Sequence, residues 1–297
     1  MQEHITIPPI SDDVYHYFET MPENIKVKLV SILKSRPDSD VQVFKTEFAT
    51  FATWTKIASK RSIVNWEKEY GHLRRDLGHD TSWAIIAAKL ISITQHFLKT
   101  DRVFTEYSAQ FLLDFAVPRK RRQAKERRVC CQPRTVVKGL EYALKNNIPK
   151  EKDWKYVGCR DESCKPLDVL CYPVKGEIHN PKTIETAMIY LQHQPVAARL
   201  HIFEPDCSFA KDEIYRGPKY MRSQYNGQKD VIIYATKIVD KELVAVVKFP
   251  CGNVEYLNVS LDVMLVHTPT ESDKHHEELA KPSGLLTEFC LLLPPPP

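Results

Sequence analysis

Gly78-His79-Asp80-Thr81-Ser82-Trp83-Ala84-Ile85-Ile86, running on to Leu98, decides how the rest of this sequence is read. Asp80 and Thr81 are residue types that cap helix N-termini, and no Pro or Gly follows before Leu98. Trp83, Ile86, Leu90, Ile93 and Phe97 recur at three- and four-residue steps, the period of one helix face. Ile85, Ala87, Ala88, Ile91 and Leu98 make the other faces apolar too, and a helix apolar all round is a buried one. The stretch therefore predicts a central core helix with the hydroxyl of Ser82 at its first turn. Two readings of Ser82 stand at this point: a residue that helps start a core helix, or one placed where a helix dipole favours a nucleophile.

Outward from this helix the sequence divides into four parts. Residues 1–60 are expected to be a helical extension. Ile25, Leu29, Ile32 and Leu33 share a face before the Arg36-Pro37 stop, and Asp40 is placed to cap a second helix carrying Val41, Phe44, Phe48, Phe51, Trp54 and Ile57. Residues 61–174 hold the core helix and further helical segments. Residues 175–267 turn to alternating, strand-like runs, such as Val231-Ile232-Ile233-Tyr234 and Leu243-Val244-Ala245-Val246-Val247. Residues 268–297 are polar, then apolar over Leu285–Leu293 without a visible partner, and end in four prolines; a disordered tail is expected there. The class is α+β.

At 297 residues, 43% of them hydrophobic, the chain can bury a real core, and no apolar run is long enough to span a bilayer. The first residues lack the basic start and apolar stretch of a secretory leader, so the eight cysteines are expected as thiols in a reducing compartment, cytoplasmic or nuclear. Cys159 and Cys164 lack a second pair at metal-binding spacing, and neither metal nor cofactor is expected. The net charge of +4 is concentrated in one run: Arg119, Lys120, Arg121, Arg122, Lys125, Arg127 and Arg128 stand against the single acid Glu126. Such a run is read as a solvated loop, a nuclear-import signal or a phosphate contact. No aromatic residue interleaves with it, which argues against single-strand nucleic-acid recognition.

A series of short motifs in fixed order adds to this reading. Asn65-Trp66-Glu67 comes first, followed by Gly78-x-x-x-Ser82-Trp83-Ala84, Tyr107-Ser108-Ala109-Gln110-Phe111-Leu112-Leu113-Asp114, and Cys131-Gln132-Pro133-Arg134. Trp154-Lys155-Tyr156-Val157-Gly158, Gln194-Pro195-Val196, Phe209 and Ile214-Tyr215-Arg216-Gly217-Pro218 complete it. Across roughly residues 65–265 this order resembles the papain-like cysteine peptidases. The resemblance implies a two-lobed papain-like fold: a helical lobe around the central helix, an antiparallel β lobe, and a cleft between them.

The resemblance also places the catalytic positions. Ser82 stands where the family has its Cys, and Asp230, in Asp230-Val231-Ile232-Ile233-Tyr234, where it has its His. Phe249, in Lys248-Phe249-Pro250-Cys251-Gly252, stands for the orienting Asn, and Asp76 for the oxyanion Gln. An alkanol is not poised as an anion the way a thiol is, an Asp with an ordinary pKa of about 3.9 is a poor base for it, and a carboxylate opposes a developing oxyanion. Pro133 and Arg134 replace a Gly pair whose backbone would meet an extended substrate, and Pro offers no N–H. His79 and Phe115 fall on cysteine positions of the family's disulfides, leaving Cys131 and Cys164 as free thiols. The expectation is a peptidase homologue without catalysis that binds a protein or extended peptide in the cleft, with no membrane contact and no nucleic acid. The alternatives are residual hydrolysis through Ser82 and a nuclear protein using residues 119–128.

Overall fold

The computed structural model describes residues 28–30, 41–47, 65–74, 81–116, 134–158, 168–210, 213–219, 223–240, 242–250, 256–267 and 283–295. The helices among them are α1 (Glu67–Tyr70), α2 (Ser82–Phe97), α3 (Ala109–Phe115), α4 (Val136–Asn146), α5 (Ile184–Leu191) and α6 (Asp206–Phe209). The strands are β1 (Lys28–Val30), β2 (Val41–Glu47), β3 (Glu177–His179), β4 (Val196–Glu204), β5 (Ile214–Tyr215), β6 (Gln224–Val239), β7 (Glu242–Lys248), β8 (Leu257–Ser260), β9 (Val263–His267), β10 (Ser283–Gly284) and β11 (Leu286–Leu293).

Helix α2 is the axis of the helical half. Every residue from Ser82 to Gln95 is buried, with Ile86, Leu90 and Ile93 fully so, as an apolar surface on all sides requires. α3 and α4 pack against it through Leu112 and Leu140. At Gly139 the fit leaves no room for a side chain, since a Cβ would lie 2.9 Å from Ala87 Cβ and 3.2 Å from the Trp83 ring. The polar residues of α2 are used to tie it to its surroundings. Ser92 Oγ accepts from Tyr107 N (3.0 Å), Gln95 Nε2 donates to Lys175 O (2.8 Å), and Thr94 Oγ1 donates to Leu292 O. Thr81, the residue before α2, makes no capping bond, and its hydroxyl meets the Tyr156 hydroxyl at 2.8 Å. Ser108 does cap α3, accepting from Phe111 N and donating to Trp154 O.

The other half is a seven-stranded sheet in the order β3-β11-β4-β6-β7-β8-β5, antiparallel except for the β5–β8 pair. Its apolar face, with Val196, Ile233, Val247, Leu257 and Leu291 fully buried, packs with Met188 and Leu191 of α5. A second sheet has the order β1-β2-β9-β10. The helices around α2 and the sheet with α5 thus form separate halves, an α+β fold.

Two expectations are corrected. Lys28–Val30 and Val41–Glu47 are strands, although helices were expected over 23–34 and from Asp40 onward. Val41-Gln42-Val43-Phe44-Lys45-Thr46 also fits a period of two, and pairing with β9 (Val41 opposite His267, Lys45 opposite Val263) satisfies its backbone. The disordered tail is corrected as well. Within 268–297, Leu286–Leu293 is a strand between β3 and β4, with Leu291 and Leu292 fully buried. Its partner β4 lies nearly ninety positions upstream (Leu286 opposite Leu200), a pairing no local pattern announces.

Candidate functional site

Ser82 opens α2 at the point where the helix packs on β6, and Asp230 stands on that strand. The Ser82 hydroxyl donates to Asp230 Oδ2 at 3.1 Å across 148 positions of sequence, in a buried contact. Asp230 is directly opposite Arg199 in the β4–β6 register, and Arg199 Nε lies 4.0 Å from Asp230 Oδ1. The same guanidinium reaches the other way, with Nη1 3.2 Å from Glu288 Oε1. Glu288 takes a left-handed backbone (φ 47) where the β11–β4 register shifts between Thr287 and Cys290. Such a bulge re-aims a side chain, and here the Glu288 carboxylate bonds to Arg199 on the neighbouring strand. The result is a polar chain, Ser82–Asp230–Arg199–Glu288, joining the helix to three strands.

Beside it is a cavity of about 420 Å3. Thr135, Val136 and Val137 at the start of α4 form one wall, Asn180, Pro181 and Lys182 another, and Ala197, Ala198, Arg199, Asp230, Glu288, Phe289 and Cys290 belong to the sheet side. Ser82 is 6% exposed and is not among these residues, whereas its partner Asp230 is. Burial pushes the Asp230 carboxyl up to about 6, against the opposing influence of Arg199 and the Ser82 hydrogen bond. Burial first, and then the charge of Asp230, push the Cys290 thiol far above its ordinary range, so this cysteine is an inert core group.

The remaining expected site residues fall elsewhere. Phe249, just past β7, is half-buried against the sheet core and is not among the residues lining the cavity. Arg134 is exposed, next to the wall residue Thr135. Asp76, Pro133, His79 and the basic residues Arg119, Lys120, Arg121, Arg122, Lys125, Arg127 and Arg128 lie outside the described residues, as do Cys131 and Cys164. No histidine is among the cavity's described lining. His201, also on β4, is fully buried between Tyr225 and Gln228, where burial lowers it to about 4. Arg199 and Glu288 were missed from sequence. Their signal was a charge inside an otherwise apolar strand, Val196–Leu200 in one case and Leu285–Leu293 in the other. Among the described residues no group of three or more His, Cys, Asp or Glu is placed to hold a metal, and no helix is long and apolar enough to cross a membrane.

Solved structures of papain-like cysteine proteases share this architecture. The ragweed pollen protease Amb a 11, in its proform, superposes with a TM-score of 0.56 at 20% identity, over 80% of this chain and 61% of that one. A cysteine protease of Carica candamarcensis gives a TM-score of 0.53 at 15% identity, over 80% of this chain and all of that one. The fold defined by α2 and the seven-stranded sheet is therefore papain-like; at these identities the likeness is one of fold alone. No family model matches the chain. Among curated proteins it is 31% identical to protein HEAT-INDUCED TAS1 TARGET 4 of Arabidopsis thaliana over 244 residues, 70% of this chain and 85% of the relative. HEAT-INDUCED TAS1 TARGET 1 of the same plant is 26% identical over 243 residues, 71% of this chain and 86% of the relative. The chain belongs to the HEAT-INDUCED TAS1 TARGET family.

Proposed function

We propose that this chain is a peptidase scaffold without peptidase chemistry, and that it binds a protein segment or extended peptide in the cleft beside Asp230. The observation that carries the reading is the Ser82–Asp230–Arg199 arrangement. Cysteine-peptidase catalysis needs a thiolate beside an imidazolium. Here the corresponding contact is a hydroxyl donating to a carboxylate, and a carboxylate paired with a guanidinium supplies neither the thiolate nor the imidazolium of that pair, although burial raises Asp230 against the opposing pull of Arg199. The phenyl ring of Phe249 cannot orient a base by hydrogen bonding, and a carboxylate at Asp76 would oppose an oxyanion. Binding does not need these groups. The cavity offers apolar surface at Val136, Ala197 and Phe289 with a few polar side chains around it, the usual composition of a ligand site.

Purified protein is expected to hydrolyse a fluorogenic peptide panel between pH 4 and 8 no faster than Ser82→Ala does. Turnover that Ser82→Ala abolishes, rising as Asp230 ionises near pH 6, would overturn the reading in favour of a serine hydrolase. In a peptide array, Val137→Trp, which fills the cavity from its rim, is expected to remove the binding seen with the unmodified protein.

The cell compartment we propose is cytoplasmic or nuclear, with the run 119–128 as an import signal. Replacing its seven basic residues by Gln or Ser in a fluorescent fusion is expected to shift the protein from nucleus to cytosol. An unchanged distribution removes the import reading.

A further inference from the structure

Two turns beyond Ser82 on α2, and four residues beyond Asp230 on β6, the seam between the halves carries a second polar feature. Lys89 is 5% exposed and Tyr234 fully buried, and among the described residues neither the Lys89 ammonium nor the Tyr234 hydroxyl has a hydrogen-bond partner. From Ser82 the helix rises about 10 Å to Lys89, and from Asp230 the strand advances about 13 Å to Tyr234. The helix and strand that carry them pack on each other, and the Glu106 carboxylate acts on both donors, so they share one neighbourhood of the seam. Burial is the main influence on Lys89 and lowers it to about 8, still above neutral pH. Lys248 adds a smaller push in the same direction; its Nζ lies 4.6 Å from the centre of the Tyr256 ring, which stands edge-on to Tyr234 at 6.4 Å. Glu106 lies close enough to influence both Lys89 and Tyr234, but its carboxylate is paired with Arg74 at 3.2 Å. The face of Phe104, 4.5 Å from Lys89 Nζ, compensates only part of the charge.

A buried donor without an acceptor is costly, and a buried cation without a counter-charge more so. A water would accept these hydrogen bonds yet leave the charge; a small anion does both. We propose that Lys89 Nζ and Tyr234 Oη together hold one buried monovalent anion, chloride under ordinary conditions, between the helical half and the sheet. Its role is structural: it neutralises the seam and links α2 to β6 independently of what the cleft binds.

The test compares thermal unfolding of the full chain in sodium chloride and in sodium gluconate at equal ionic strength, together with anomalous diffraction from crystals grown in sodium bromide. The expected result is an unfolding midpoint higher in chloride by about 2 to 4 °C, and a bromide peak within hydrogen-bond reach of both donors. Lys89→Met should abolish the difference between the salts. Should that variant not fold, Tyr234→Phe should reduce the difference. Equal midpoints in the two salts, a chloride effect that survives in the variant, or a water at the site where bromide is expected would each overturn the proposal.

Discussion

Ending the chain before Ser283 is expected to leave a protein that does not fold. The segment removed contains β11, an interior strand of the sheet, and takes with it Leu285, Leu286, Phe289, Leu291 and Leu292, all at least 95% buried. Each such side chain contributes about 1.5–3 kcal/mol through burial, while a whole domain is stable by only about 5–15 kcal/mol. The loss also strips β4 of one hydrogen-bonding neighbour and removes the Leu292 carbonyl, which accepts from Thr94 on α2 and from Gln194 Nε2 at 2.8 Å. The helical half is thus affected as directly as the sheet. The milder variant Leu291→Ala should lower stability by about 2–5 kcal/mol in urea titration. A truncated protein with native near-ultraviolet circular dichroism and cooperative melting would refute this role for β11.

The second large effect is a pair of opposed pH dependences that mask one another. Burial raises Asp230 from 3.8 to about 6 in the folded chain. The native state then holds its proton more tightly than the unfolded chain, so the stability from this group is full below pH 3.8 and is lost as pH rises through 6. A change of that size is worth about 3 kcal/mol. Burial, with a smaller push from Arg199, lowers His201 from 6.5 to about 4. Its contribution has the opposite sense, full above pH 6.5 and lost as pH falls through 4, and is again about 3 kcal/mol. Between pH 4 and 6 the two cancel. Asp230→Asn should therefore be more stable than the parent at pH 7, by up to about 3 kcal/mol, and should lose stability on acidification. His201→Gln should lose stability as pH rises from 4 to 6. Urea midpoints at half-unit pH steps measure both slopes; parallel profiles for the two variants would refute the assignment.

The order of legible features follows the distance over which each is decided. The burial of α2 was readable because an all-apolar helix has one destination, and the structure buries it from Ser82 to Gln95. Ser82 and Asp230 were singled out from separate motifs, and the structure sets their side chains in hydrogen-bond contact. The character of that contact was not readable. An Asp taken at its ordinary acidity was expected; the folded environment moves it to about 6, because burial at the seam disfavours its charge more than Arg199 favours it. The misread strands show the same limit. Val41–Glu47 carries apolar residues compatible with either period, and its pairing with β9, more than two hundred residues away, selects the strand.

By itself the sequence determined the elements whose cause is local: the core helix and the change from helical to alternating pattern near residue 175. Only the tertiary structure decided which strands are neighbours, that the C-terminal segment completes the sheet, and that Arg199 links Asp230 to Glu288. Those outcomes depend on backbone groups and charges meeting across large separations in sequence, where each side chain's solvation and partners are set by residues that no window along the chain contains.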